Sequence, residues 1–171
     1  MLSKHLLHGR HANIFNPAAL ALVVSDYLFT PGQDWWGAQP ARPLGLVLLG
    51  LAGAYVVRRV NRLPALLWFL GAYFLLFTVS AYFGDPRRVA EIYRLPDLGM
   101  VLFFAFFMVT DPPTSPRRGQ DQIVFGLLVA GTSFAVFELA GPVWFLLAGL
   151  LVGNGWEALR RWRMAASRAD S

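Results

Sequence analysis

The sequence predicts an all-α polytopic membrane protein of about six transmembrane or half-membrane helices, on three observations. Of its 171 residues, 56% are hydrophobic and only 15% are charged, against about 45–50% and about 25% in soluble domains. The mean hydropathy of +0.49 leaves too few polar residues to cover the outer faces of a soluble two-layer fold. The charges also gather between apolar stretches instead of alternating with them. Six crossings of about 20 residues use about 120, so the expected organisation is a basic N-terminus at 1–12, one transmembrane domain at 13–159 and a basic tail at 160–171.

Charges and prolines delimit six apolar segments, at 13–29, 43–57, 64–84, 95–110, 122–140 and 142–156. In the first, Asn16 is a good N-cap and Pro17 a good first helical residue, so a helix should begin there. The second begins at Pro43 and stops before Arg58-Arg59, with Gly45, Gly50 and Gly53 allowing close helix approach. The third is uncharged throughout and is the clearest spanning helix. The fourth begins at Leu95-Pro96-Asp97 and ends where Pro112, Pro113 and Pro116 remove three backbone donors. The fifth carries a lone Glu138 near its end, and the sixth contains Gly149, Gly153 and Gly155. Segments shorter than a bilayer either span with snorkelling flanks or stop inside as half-helices. The polar stretch 164–171 is expected to fray.

The net charge of +5 and isoelectric point near 10.2 come from fourteen arginines and one lysine that follow membrane sidedness. With the N-terminus cytoplasmic and six passes, one side holds Lys4, Arg10, Arg58, Arg59, Arg62, Arg117, Arg118, Arg160, Arg161, Arg163 and Arg168. The other holds Arg42, Arg87, Arg88 and Arg94. This bias places both termini inside and explains the basicity without nucleic acid. Were 95–110 re-entrant, the last loops would exchange sides and the C-terminal arginines would break the rule. A signal peptide is disfavoured because Asp26 directly follows the apolar run at 18–25 and no small-residue cleavage site comes after it.

Several chemistries are excluded or weak. Without cysteine the chain forms no disulfide, thiolate-held cluster or Cys-type zinc site. His5, His8 and His11 recur every three residues, but Gly9 weakens a helix there and no acidic residue lies nearby, so no metal site is expected. No P-loop, dinucleotide fingerprint, zinc-protease motif or nucleophile elbow occurs. Asp26 and Asp97 read as interface residues. Trp35, Trp36, Trp144, Trp156 and Trp162 fall near segment ends, as an aromatic belt requires, with Trp68 slightly inside.

Three places exceed what a plain membrane helix needs. Asn16-Pro17 is either an interfacial helix start or a buried N-terminus whose amides face a polar or anionic ligand. Thr110-Asp111-Pro112-Pro113-Thr114-Ser115-Pro116 cannot continue a helix, and its hydroxyls and carboxylate can order a specific turn at the surface or against protein. Arg117 and Arg118 follow it. Glu138 is a candidate for ion or proton handling, with snorkelling to the outer surface as the alternative.

The strings Asn13-Ile14-Phe15-Asn16-Pro17-Ala18 and Phe106-Phe107-Met108-Val109-Thr110-Asp111-Pro112, with Ile123-Val124-Phe125-Gly126-Leu127-Leu128 behind them, resemble the NqrB/RnfD family. These are membrane subunits of the sodium-pumping NADH:quinone reductase and of the Rnf electron-transport complex. The resemblance covers nearly the whole chain but only the later half of a full-length member. It implies one repeat of an inverted-repeat, urea-transporter-like architecture with broken helices. It also implies a flavin, since family members attach FMN through its phosphate to the threonine of Ser-Gly-Ala-Thr, nine residues before the threonine of Thr-Asp-Pro. The stretch here is Leu98-Gly99-Met100-Val101, in which only Gly99 matches. Valine has no hydroxyl to esterify, so covalent FMN is excluded at that position.

The expected function is therefore that of a membrane subunit in the bacterial inner membrane, at most an electron relay. It would bind FMN or riboflavin non-covalently or act as a scaffold in a redox complex. The resemblance implies contacts to the ligand from Asn16, Pro17, Gly99, Thr110, Asp111, Thr114 and Ser115, with Arg117 and Arg118 near any phosphate. Expected partners are the lipid bilayer and other redox subunits or further copies of the chain. A small-solute or flavin transporter without redox chemistry is the alternative.

Overall fold

The computed structural model describes residues 8–9, 12–29, 43–84, 86–90, 93, 95–141 and 144–169. A short antiparallel pair, β1 (His8–Gly9) and β2 (Ala12–Asn13), precedes the helices. The helices are α1 (Pro17–Phe29), α2 (Pro43–Val60), α3 (Leu63–Phe83), the single turn α4 (Pro86–Ala90), α5 (Leu95–Phe103), α6 (Gly119–Ala140) and α7 (Phe145–Ala169). A π-helical stretch, Phe104–Val109, continues α5. Every expected apolar segment contains a helix, and α3 and α6 are long and apolar enough to cross a membrane. The protein is a helical membrane protein. His5, His11, Trp35 and Trp36 lie outside the described residues.

The last helix departs most from expectation. Instead of fraying, residues 164–169 remain helical. Glu157 supports the turn that leads into this stretch, accepting from Arg160 and Arg161, three and four residues on, at 2.7 Å each. Such pairs hold a helix that apolar packing no longer covers.

α2 and α3 form a tight hairpin. Asn61 adopts the left-handed conformation at φ 55°, its amide donating to the Arg58 carbonyl at 3.3 Å and the next amide, of Arg62, reaching Val57 at 3.2 Å. This is a Schellman ending with asparagine in the usual glycine place. Pro64 then fits the first turn of α3, where a missing N–H costs nothing.

Around α6 the helices approach closely through glycine. A Cβ on Gly126 would lie 2.7 Å from the Ala65 carbonyl oxygen and 2.9 Å from the Phe69 nitrogen of α3. On the opposite side, a Cβ on Gly149 of α7 would meet the Ser133 hydroxyl and stand 2.6 Å from the Val129 carbonyl oxygen. Lipid tails are as apolar as leucine, so such close packing replaces the hydrophobic effect as the association force. Tyr73, Phe77, Phe137 and Phe145 add an aromatic cluster with centroid separations from 4.4 to 6.4 Å, each pair worth about 0.5–1.5 kcal/mol.

These contacts give directions. α3 and α6 run parallel, since Gly126 meets Ala65 at one end while Ser80 donates to Glu138 at 3.2 Å at the other. Two parallel helices need a return crossing between them. Tyr93, just before α5, bonds the Phe74 carbonyl at 3.2 Å, and the loop after the π stretch bonds Arg62. Residues 95–109 therefore lead from beside the middle of α3 back to the arginine end.

Candidate functional site

The arginine end of the bundle carries a polar knot built from four separate pieces of chain. Its centre is the proline-rich turn. The Asp111 carbonyl accepts from the Thr114 amide at 3.2 Å, the Ser115 amide at 3.0 Å and the Ser115 hydroxyl at 2.7 Å. The Asp111 carboxylate accepts from the Thr114 hydroxyl at 2.8 Å. Thr110 turns its hydroxyl back to the Phe106 carbonyl in the π stretch, where the wider helix leaves an acceptor. Prolines at 112 and 113 remove donors that this turn has no use for.

The α2–α3 hairpin joins through Arg62, only 5% exposed despite its charge. Its Nε donates to Ser115 Oγ at 2.8 Å, and one terminal nitrogen reaches the carbonyls of Val60 and Asn61 at 3.3 and 3.4 Å. Burial lowers its pKa and the Arg117 and Arg161 charges lower it further, while Glu157 and Asp111 oppose them. The guanidinium nonetheless keeps its proton, far from its titration range. Gln122, at the start of α6, adds a second strap by donating to the Asn61 carbonyl at 3.1 Å and the Arg117 carbonyl at 3.2 Å.

α7 supplies the fourth piece. Arg161 donates to the Pro113 carbonyl at 2.8 Å and the Ser115 carbonyl at 3.2 Å, while its Nε pairs with Glu157. Arg160 bridges Glu157 and Asp121 at 2.7 Å each and lies 5.9 Å from the centre of the Trp156 ring. Burial pushes the Asp111 carboxyl above its ordinary range, with Thr114 and Arg62 acting against the rise.

The sequence profile of the NQR2, RnfD, RnfE family matches residues 43–145. The chain belongs to this family. No curated protein and no solved structure matches the chain. The family match spans α2 through the start of α7 and takes in Val101 and the whole proline-rich turn, while Asn16-Pro17 lies before it. In this relative of the RnfD and NqrB type of membrane subunit, Val101 is buried, 1% exposed, within α5.

The expected site residues sit on three elements and one loop: the start of α1, α5, the end of α6, and the proline-rich turn with the arginines that follow it. Thr110, Asp111, Thr114 and Ser115 come together in the knot, and the three hydroxyls are each engaged within the chain. Arg117 and Arg118 flank it and are exposed. Gly99 is buried on α5. Asn16 directs its side-chain oxygen to the Ala18 and Ala19 amides at 3.0 and 3.2 Å, an ordinary N-cap, and the Phe15 ring beside it lies against Gly155 of α7. Pro17 occupies the first position of α1. Glu138 is exposed at the far end, beside Ser80.

Sequence reasoning missed Arg62, Gln122, Glu157, Arg160 and Arg161 as members of the site. Glu157 carried a signal, a lone acid three and four residues before two arginines. Arg62 carried none beyond its sidedness.

Proposed function

We infer that the protein is a scaffold subunit of a membrane electron-transport assembly, in the bacterial inner membrane with both termini cytoplasmic. The observation that carries this reading is the inward bonding of the proline-rich turn, whose hydroxyls are engaged with Arg62, with Asp111 and with the π stretch and so join the α2–α3 hairpin to the end of α5. A turn closed on itself supports a rigid membrane frame. A tethered FMN does not fit, because the phosphoester needs a hydroxyl where Val101 has a methyl-bearing side chain packed in the core. Family membership supports redox subunits as the partners.

Purification in mild detergent, followed by a visible spectrum and titration with FMN and riboflavin, tests the reading. The scaffold role predicts a colourless protein whose addition leaves flavin fluorescence unchanged. A yellow protein carrying stoichiometric flavin would replace the scaffold role with a flavin-carrying one.

A further inference from the structure

The arginine end carries a second feature that the knot does not use. Arg58, Arg59, Arg117 and Arg118 are all exposed, and among the described residues none of them pairs with a carboxylate. Two lie at the end of α2 and two nearly sixty residues later, yet the hairpin and Gln122 bring the two stretches of backbone together. The Arg58 carbonyl accepts from the Asn61 amide, and Gln122 holds the Asn61 and Arg117 carbonyls on one nitrogen. Sidedness alone requires arginines at this end; it does not require two distant pairs to meet at one turn.

The surface leading to this cluster is apolar. Leu44, Leu48, Leu51, Tyr55 and Arg58 follow one another at alternating spacings of four and three, a single stripe along α2. The four apolar members are 69%, 58%, 66% and 71% exposed. A long apolar stripe ending in clustered guanidiniums has the amphiphilic profile of a phospholipid, with acyl chain along the helix and phosphate at the arginines. A soluble acidic protein would match the charges but would have no counterpart for the stripe.

The geometry points to a binding site for an anionic phospholipid on the outer face of α2, its phosphate held by Arg58, Arg59 and Arg117 with Arg118 beside them. The site stands on the membrane fold and is independent of the scaffold role.

Native mass spectrometry of the detergent-released protein, supplied with phosphatidylglycerol or phosphatidylcholine, tests it. The wild type retains phosphatidylglycerol in preference to phosphatidylcholine, and inorganic phosphate does not displace it. The triple variant Arg58→Gln/Arg59→Gln/Arg117→Gln weakens retention by about a hundredfold, and Arg58→Gln alone by roughly fivefold. Arg87→Gln, at the other end of the bundle, changes nothing. Equal retention of both lipids, displacement by inorganic phosphate, or full retention by a variant with the wild-type circular dichroism spectrum and Tm would overturn the site. If the triple variant misfolds, Arg58→Gln decides.

Discussion

Arg62 Nε donates to the Ser115 hydroxyl at 2.8 Å, across 53 residues of sequence. This bond ties the α2–α3 hairpin to the proline-rich turn, and both ends of it are buried. Arg62→Ala should lower stability by about 2–3 kcal/mol, the usual worth of hydrogen bonds to a buried charge. Arg62→Lys should recover little, since an ammonium cannot serve Ser115 and the two hairpin carbonyls from a planar fork. Thermal unfolding in detergent measures both.

Glu157 holds two guanidiniums with one carboxylate, its side chain only 3% exposed. Glu157→Gln leaves Arg161 to the turn carbonyls and Arg160 to Asp121. Its arginine partners are partly exposed, so losing these charged hydrogen bonds should cost about 1.5–3 kcal/mol. Limited proteolysis should then cut within residues 158–169, which the wild type protects.

Asp111 gives the turn a pH dependence. Its folded pKa lies above the ordinary value, so the folded state binds the proton more tightly than the unfolded chain does. The contribution of Asp111 to stability is therefore full below the ordinary carboxylate range and is lost as pH rises through the raised pKa. Asp111→Asn keeps an acceptor for the Thr114 hydroxyl and removes the charge. It should raise Tm at neutral pH and leave it unchanged in strong acid, as differential scanning fluorimetry at both pH values would report.

Glycines at the two crossings of α6 predict the opposite outcome from Gly131, on the same helix but in open space. Gly126→Ala and Gly149→Ala drive a methyl against backbone atoms of the neighbouring helix and should cost about 1–3 kcal/mol or more. Gly131→Ala meets nothing within 4 Å and should be neutral or stabilising by up to about 1 kcal/mol. Unfolding of all three in the same detergent separates packing from helix propensity.

Much of the fold was legible because membrane segments announce themselves by apolar length and by the charges that bound them. The breaks at Asn16-Pro17 and at the three prolines were legible for a local reason, since capping and missing donors act within a few residues. The knot was not. Arg62 reads as one more basic loop residue until the hairpin turns it inward onto Ser115. Gln122 reads as the edge of an apolar segment until its amide strap is seen. The helical tail was hidden because hydropathy ends near Trp156 whereas the helix runs on to Ala169, past the pairing of Glu157 with Arg160.

A native gel of membranes solubilised in mild detergent, with and without this chain, tests the scaffold role most directly. The scaffold role predicts that the chain migrates together with redox subunits, and that those subunits disperse when it is removed or when Arg62→Ala and Glu157→Gln loosen the knot. A chain that migrates alone, beside a redox assembly of unchanged size and activity in its absence, would contradict it.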